Sequence, residues 1–255
     1  MDTKMFVPNP KNMPWANVSV VVFGERMCCA LPAYKPDAFS CVFLTPTAAK
    51  GLLDNIYLDK ITVDGKKYPA FRFLIMCISA IEHPDPDKRQ FQGMRDSIRL
   101  NGLQNKIKFK KGLKPFEHGN VHQRYISYVY YPAFKIDARI SLLPIWSLRD
   151  EREKNAATYQ EIFSRRVVNR QHYNNLYFGK TMFPAKFKPY EGEKILTDLN
   201  LQIGPVIYDC LYDENTDVPM ARRYIQAEVI KGVLDLNWID GNKQLVQEKE
   251  KRIHV

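Results

Sequence analysis

Three groups of residues have types and spacings suited to work on a polyanion. Lys50, Asp54 and Tyr57 fall at i, i+4 and i+7 of an expected helix, so a cation and a phenol project together from its polar side. A fixed cation neutralises a phosphate, and a phenol stacks on a flat ring or bonds to a phosphate oxygen. In NKIKFKKGLKPF, residues 105–116, Lys106, Lys108 and Lys110 alternate with Ile107 and Phe109, and Lys111 follows directly. A strand there would set lysines on one face and apolar groups on the other. Such a ribbon fits a phosphate backbone, but it equally fits an exposed sheet edge that lysines guard against aggregation. Arg165, Arg166 and Arg170 crowd the end of a second expected helix, where the helix dipole favours cations with or without a bound anion.

The elements that must position these groups start with SCVFLTPTAAKGLLDNIY, residues 40–57. Ser40 to Leu44 reads as a short strand, Thr45 as the N-cap, and Pro46 as the first helical residue, where its missing N–H costs nothing. Ala49, Leu52, Leu53 and Ile56 then form one apolar stripe that must pack on a sheet. Gly51 inside the helix implies close approach of another backbone. VSVVVFG at 18–24 reads as a strand buried on both faces, ITVDGKKY at 61–68 as a hairpin turning at Asp64-Gly65, and FRFLIMCISAI at 71–81 as a central strand.

Residues 83–102 carry prolines, glycines and the cations Lys88, Arg89, Arg95 and Arg99, and read as a loop or a poorly packed connector. Strands follow at 124–131 and 134–143, then a helix from about Leu148 to Val168 with Ile162, Phe163 and Val167 as its core edge. NNLYFGKTMFPAKFKPY at 174–190 is the last strand-like piece of this unit. The order is β-α-β-β-α-β, an α+β chain of ferredoxin-like type with an elaborated basic hairpin at about 83–125 between its second and third strands. The expected division is a first domain over 1–190 and a small antiparallel β-sheet domain with a charged tail over 191–255. In the latter, Lys231-Gly232 makes a turn.

The chain has 255 residues and a formal charge of +10, the electrostatic footprint of a polyanion binder and also of many proteins with solvated lysines. Its five cysteines include no C-x-x-C, so neither a disulfide framework nor a structural zinc is expected, and no cofactor or metal is implied. No apolar run is long enough to cross a bilayer, and MDTKMFVPNPKN lacks the apolar core of a signal peptide. A cytoplasmic protein with no membrane partner is the expectation.

VSVVVFG followed by FSCVFLTPTAAKGLLDNIY resembles the N-terminal signature of the CRISPR-associated Cas-five family, in the subtype of type I-C (Dvulg) systems. Similar pieces recur in family order: RFLIMCISAIEHP at 72–84, MRDSIRLNG at 94–102, YQEIFSRRVVNRQ at 159–171, YFGKTMFPAKF at 177–187 and ARRYIQAEVIKGVLDL at 221–236. The family belongs to the RAMP superfamily of RNA-binding proteins. The resemblance implies a ferredoxin-like domain with a projecting hairpin plus a small C-terminal sheet. It further implies a protein that binds the 5′ handle of a CRISPR RNA at one end of the surveillance complex Cascade. There it touches the large subunit and the nearest backbone subunit, and meets target DNA through the complex. On that basis the RNA-binding candidates are Lys50, Tyr57, Arg95, Arg99, Lys106, Lys108, Lys110, Lys111, Arg165, Arg166, Arg170 and Lys180.

Members of the type I-C branch usually also cut the precursor RNA, using a tyrosine at the end of the first helix and a Lys-His pair at the start of the second. Tyr57 matches the tyrosine. Laid without gaps between Phe163 and Gly179, the family's lysine falls on Thr158 and its histidine on Tyr159. Threonine carries no charge, and a phenol with a pKa near 10 is a poor base at neutral pH. Lys154 and His172 lie close enough in sequence to form a rearranged pair, whereas His83, His118, His122 and His254 suit surface or structural roles. The expected function is therefore a handle-binding Cascade subunit that does not cut. The alternatives are a metal-independent endoribonuclease acting through Tyr57, and a general basic RNA-binding protein.

Overall fold

The computed structural model describes residues 15–30, 39–63, 66–91, 95–103, 121–142, 155–212, 219–237 and 246–249. In chain order the elements are β1 (Trp15–Gly24), β2 (Arg26–Met27), β3 (Cys29–Ala30), β4 (Ser40–Cys41), α1 (Pro46–Ile56), β5 (Lys60–Val63), β6 (Lys66–Pro69) and β7 (Phe71–Ala80). They continue with β8 (Arg95–Leu103), β9 (Val121–Tyr130), β10 (Ala133–Leu142), α2 (Ala156–Val168), β11 (Ala185–Lys188), β12 (Leu201–Tyr212), β13 (Pro219–Val229), β14 (Val233–Asp235) and β15 (Val246–Lys249). No helix among the described residues is long and apolar enough to cross a membrane.

The main sheet runs β11-β1-β10-β7-β14, with every neighbouring pair antiparallel. Taking β1, β7, β10 and β11 as the four strands of the β-α-β-β-α-β unit, their spatial order is fourth, first, third, second. Both strand-helix-strand crossovers therefore skip a strand, which is the ferredoxin-like arrangement. Helix α1 packs on β7, and α2 packs on β1 and β10. Val18, Val20 and Val22 of β1 enter the main core with Leu52, Leu53, Ile56 and Phe163. Val21 points the other way, into a small cluster with Ile81 and Ala133. The strand is thus buried on both faces where three valines adjoin, while Trp15, Asn17 and Ser19 at its start stay exposed.

Helix α1 begins as its sequence dictates: the Thr45 hydroxyl accepts from the Ala48 N–H at 3.4 Å, Pro46 opens the helix, and Ala49, Leu52, Leu53 and Ile56 are buried. Two details differ from expectation. Ser40 and Cys41 alone form the preceding strand, paired with β3. Gly51 is solvent-exposed, and a Cβ built on it would meet nothing within 4 Å, so no backbone crosses there.

Within 83–102 the described residues form more regular structure than the composition suggests. Pro86–Phe91 is a 3-10 turn, and β8 pairs with β9 from Arg95 opposite Val129 to Leu103 opposite Val121. This ribbon lies between the second and third strands of the main unit, as the reading of an elaborated hairpin requires. The lysines at 106, 108, 110 and 111 fall outside the described residues. The 61–68 hairpin forms, with Val63 opposite Lys66. Helix α2 starts at Ala156 behind the N-cap Asn155, and 148–154 lie outside the described residues.

Beyond residue 190, β12 and β13 pair with each other, and β13 also pairs with β15. Lys231 and Gly232, with φ of 50° and 78°, make the turn into β14. That strand leaves the second sheet and pairs with β7 of the first. Val206, Tyr208, Ile225 and Val229 belong to the same core cluster as the two helices, so one core runs through both parts of the chain.

Candidate nucleic-acid interface

At the end of α1 the chain turns inward. The Tyr57 N–H donates to the Leu53 carbonyl at 2.9 Å, but its φ and ψ of −148° and 116° are extended, and the residue is only 4% exposed. Its ring lies 5.4 Å from Phe71 and 6.1 Å from Tyr159, and those two rings are 4.7 Å apart. Tyr159 is fully buried. The Arg166 guanidinium covers the Tyr57 ring at 4.8 Å and donates to the Ile56 carbonyl at 3.2 Å. The phenol is therefore held in an aromatic cluster under a cation, not projected into solvent beside Lys50. Thr158 is held in the helix cap, where its N–H and its hydroxyl both donate to Asn155 Oδ1, at 2.9 and 3.1 Å.

Lys50 is also committed. Its ammonium bonds to Asp209 of β12 at 3.1 Å, tying the first helix to the second sheet. Next to this pair, burial pushes the Asp54 carboxyl up to about 6; Lys50 pulls it down and Asp209 pushes it further up. The polar side of α1 thus packs against the C-terminal part of the chain, which the helical spacing could not reveal.

Exposed cations gather towards the end of α2 and just after it. Arg165 and Arg170 both reach solvent. Arg170 has a φ of 55°, and this bend lets the chain fold back so that the N–H groups of Tyr173 and Asn174 donate to the Asn55 carbonyl at 2.8 and 2.9 Å. A tight turn follows. The Phe178 N–H donates to the Phe183 carbonyl, and the Cys28 N–H to the Phe178 carbonyl. Gly179 has a φ of 75°, and a Cβ there would stand 2.0 Å from the Cys28 carbonyl oxygen, so only glycine lets the turn seat against the strand region. Lys180 follows, half-buried.

Between this returning segment and β11 lies an open groove of about 810 Å³. Its floor includes Phe23 and Phe187, and its walls carry Arg170, His172, Asn174, Tyr177, Lys186 and Lys188. Among the described residues, no acidic one lines it. His172 meets Phe187 edge-on at 6.4 Å. Lys188 is neutralised by Glu191 and Glu193 at 2.8 and 2.5 Å, and the Glu191 contact first, then Glu193, raises its pKa. The groove can hold a flat, anionic ligand: apolar surface beneath, cations and amides around.

Of the sequence candidates, the structure brings Arg170 into this groove and leaves Arg165 exposed nearby on α2. It places Arg166 over Tyr57 and Lys50 against Asp209. Arg95 and Arg99 lie on β8, opposite Val129 and Tyr125. Sequence reasoning missed Asn174, Tyr177, Lys186 and Lys188, and weighed His172 only as a substitute base. The signal for the lysines was present in AKFK, where Lys186 and Lys188 flank an inward Phe187.

No family model matches the chain. It is 29% identical over 205 residues to the CRISPR pre-crRNA endoribonuclease Cas5d of Thermus thermophilus, covering 80% of this chain and 77% of that protein. This likeness runs over most of both chains and agrees with the family resemblance read from the sequence. Among solved structures, it superimposes on a crystal structure of a CRISPR-associated protein with a TM-score of 0.59 at 16% identity, covering 91% of this chain and 96% of the other. SMU1763c, a functionally uncharacterized protein from Streptococcus mutans, gives a TM-score of 0.56 at 12% identity over 91% and 97%. Both likenesses are of overall fold.

Proposed function

We propose that the chain is a Cascade subunit of a type I CRISPR system that binds the repeat-derived 5′ handle of CRISPR RNA without cutting it. The observation that carries this reading is the fate of the two positions where the family places a tyrosine and a histidine. Tyr57 and Tyr159 adjoin each other inside a buried aromatic cluster, where neither phenol is open to solvent. Scission of RNA by its own 2′-OH needs a group that takes the proton and a cation that meets the developing charge. A buried phenol supplies neither. Binding needs only exposed cations and flat surfaces, which the segment after α2 and β11 provide. In this reading the backbone and large subunits of Cascade flank the protein, target DNA reaches it through the complex, and its compartment is the cytoplasm. Residues 1–190 and 191–255 act as the RNA-binding and supporting parts.

The test is incubation of the purified chain with RNA of its host's CRISPR repeat in EDTA. The expected outcome is intact RNA. A single cleavage product that disappears in Tyr57→Phe overturns the proposal in favour of the second reading, a metal-independent endoribonuclease. That second reading draws support from the activity named for the Thermus relative and from His172, which shares a groove with Arg170 and Lys186.

A further inference from the structure

The groove between the returning segment and β11 has a make-up more particular than a general basic surface. Its cations are unequal: Lys188 is held by two glutamates, whereas Arg170 and Lys186 have no carboxylate partner among the described residues. Beside them stand two adjacent amides, Asn174 and Asn175, and the partly exposed ring of Tyr177. The amide-bearing stretch is fixed, because the Tyr173 and Asn174 N–H groups are anchored on Asn55. Each carboxamide offers a donor pair and an acceptor on one rigid plane, the complement of a nucleobase edge.

We propose that this groove is a base-reading subsite, taking one unstacked nucleotide of single-stranded RNA. Arg170 and Lys186 hold its phosphates, Tyr177 stacks on the base, and Asn174 with Asn175 select which base enters. The proposal rests on the RNA-binding reading above and assigns its sequence preference to one place. The lack of acidic lining among the described residues and the apolar floor of Phe23 and Phe187 argue for an anion with a planar apolar face over a peptide.

The probe is a set of fluorescently labelled homo-oligomers of A, C, G and U, about eight nucleotides long, titrated into the full chain in lithium buffer. The expected result is a preference of about tenfold for one base. In Asn174→Ala/Asn175→Ala that preference collapses while affinity for the weaker oligomers stays. In Arg170→Ala/Lys186→Ala all four weaken together, and the slope of log affinity against log salt falls by about 1.4, as expected for two lost phosphate contacts on a single strand. Arg170, Asn174, Asn175 and Lys186 are all exposed, and unchanged melting of each variant excludes unfolding as the cause. A base preference that survives loss of both asparagines, or no preference at all in the parent chain, overturns the subsite while leaving RNA binding intact. Failure of the parent chain to bind any oligomer, at low salt, overturns both readings.

Discussion

Gly51 sits exposed on α1 with room for a side chain and no neighbour to meet it. Its cost is then the ordinary backbone entropy of a helical glycine, and Gly51→Ala is expected to stabilise the fold by about 1 kcal/mol, read as a shift of the urea midpoint at constant slope. Asp54 gives a pH-dependent counterpart. Its carboxyl is held at about 6 against an ordinary value of 3.8, so the folded state binds this proton more tightly than the unfolded chain does. The resulting contribution is full below the ordinary carboxylate range and is lost as pH rises through about 6. Asp54→Asn, neutral at every pH, should therefore raise the melting temperature at pH 8, by an amount equivalent to about 1–2 kcal/mol, and leave it nearly unchanged at pH 4. An equal effect at both pH values would place the benefit elsewhere. The cap residues Thr45 and Pro46 were legible because their roles depend only on the chain beside them. Tyr57 was misplaced by the same logic: helical spacing put it next to Lys50, but it is the C-cap, its backbone is extended, and its ring follows the chain inward.

At the scale of elements, the turn over 178–183 does the most with the least sequence. It joins α2 to β11, seats on Cys28, and forms part of the groove's rim. Gly179→Ala would have to move either the turn or the Cys28 carbonyl and would also force a positive φ on an L side chain. A loss of at least about 2–3 kcal/mol is expected, with RNA binding impaired in whatever fraction remains folded. Chemical denaturation followed by circular dichroism reads this directly, and a near-neutral result would mean that the turn is not seated as described. The helices and the main strands could be read from periodicity and caps. Strand β8 could not, because prolines precede it and polar residues fill it, so only its partner β9 identifies it. The groove was hidden for a different reason: its lining is drawn from Phe23, from the stretch 170–181 and from 184–188, which no local pattern links.

For the whole molecule, the formal charge of +10 gains meaning from where the cations are spent. Lys50, Arg166 and Lys188 are occupied by Asp209, by Tyr57 and the Ile56 carbonyl, and by two glutamates, so counting basic residues overstates what is left for a ligand. Binding of repeat RNA is expected to weaken steeply between about 50 and 200 mM salt, with a slope set by the remaining free cations. Fluorescence anisotropy across that range checks it, and a flat response would remove the electrostatic account.

The route of β14 from the second sheet into the first has a consequence for synthesis on the ribosome. Translation runs from the N-terminus, so β7 is complete long before Val233–Asp235 has been made. Throughout that interval Cys77, Ile78 and Ser79, the part of β7 that β14 covers, offer their outward N–H and C=O groups to any passing strand. That stretch is protected from such mispairing only once Val233–Asp235 has emerged.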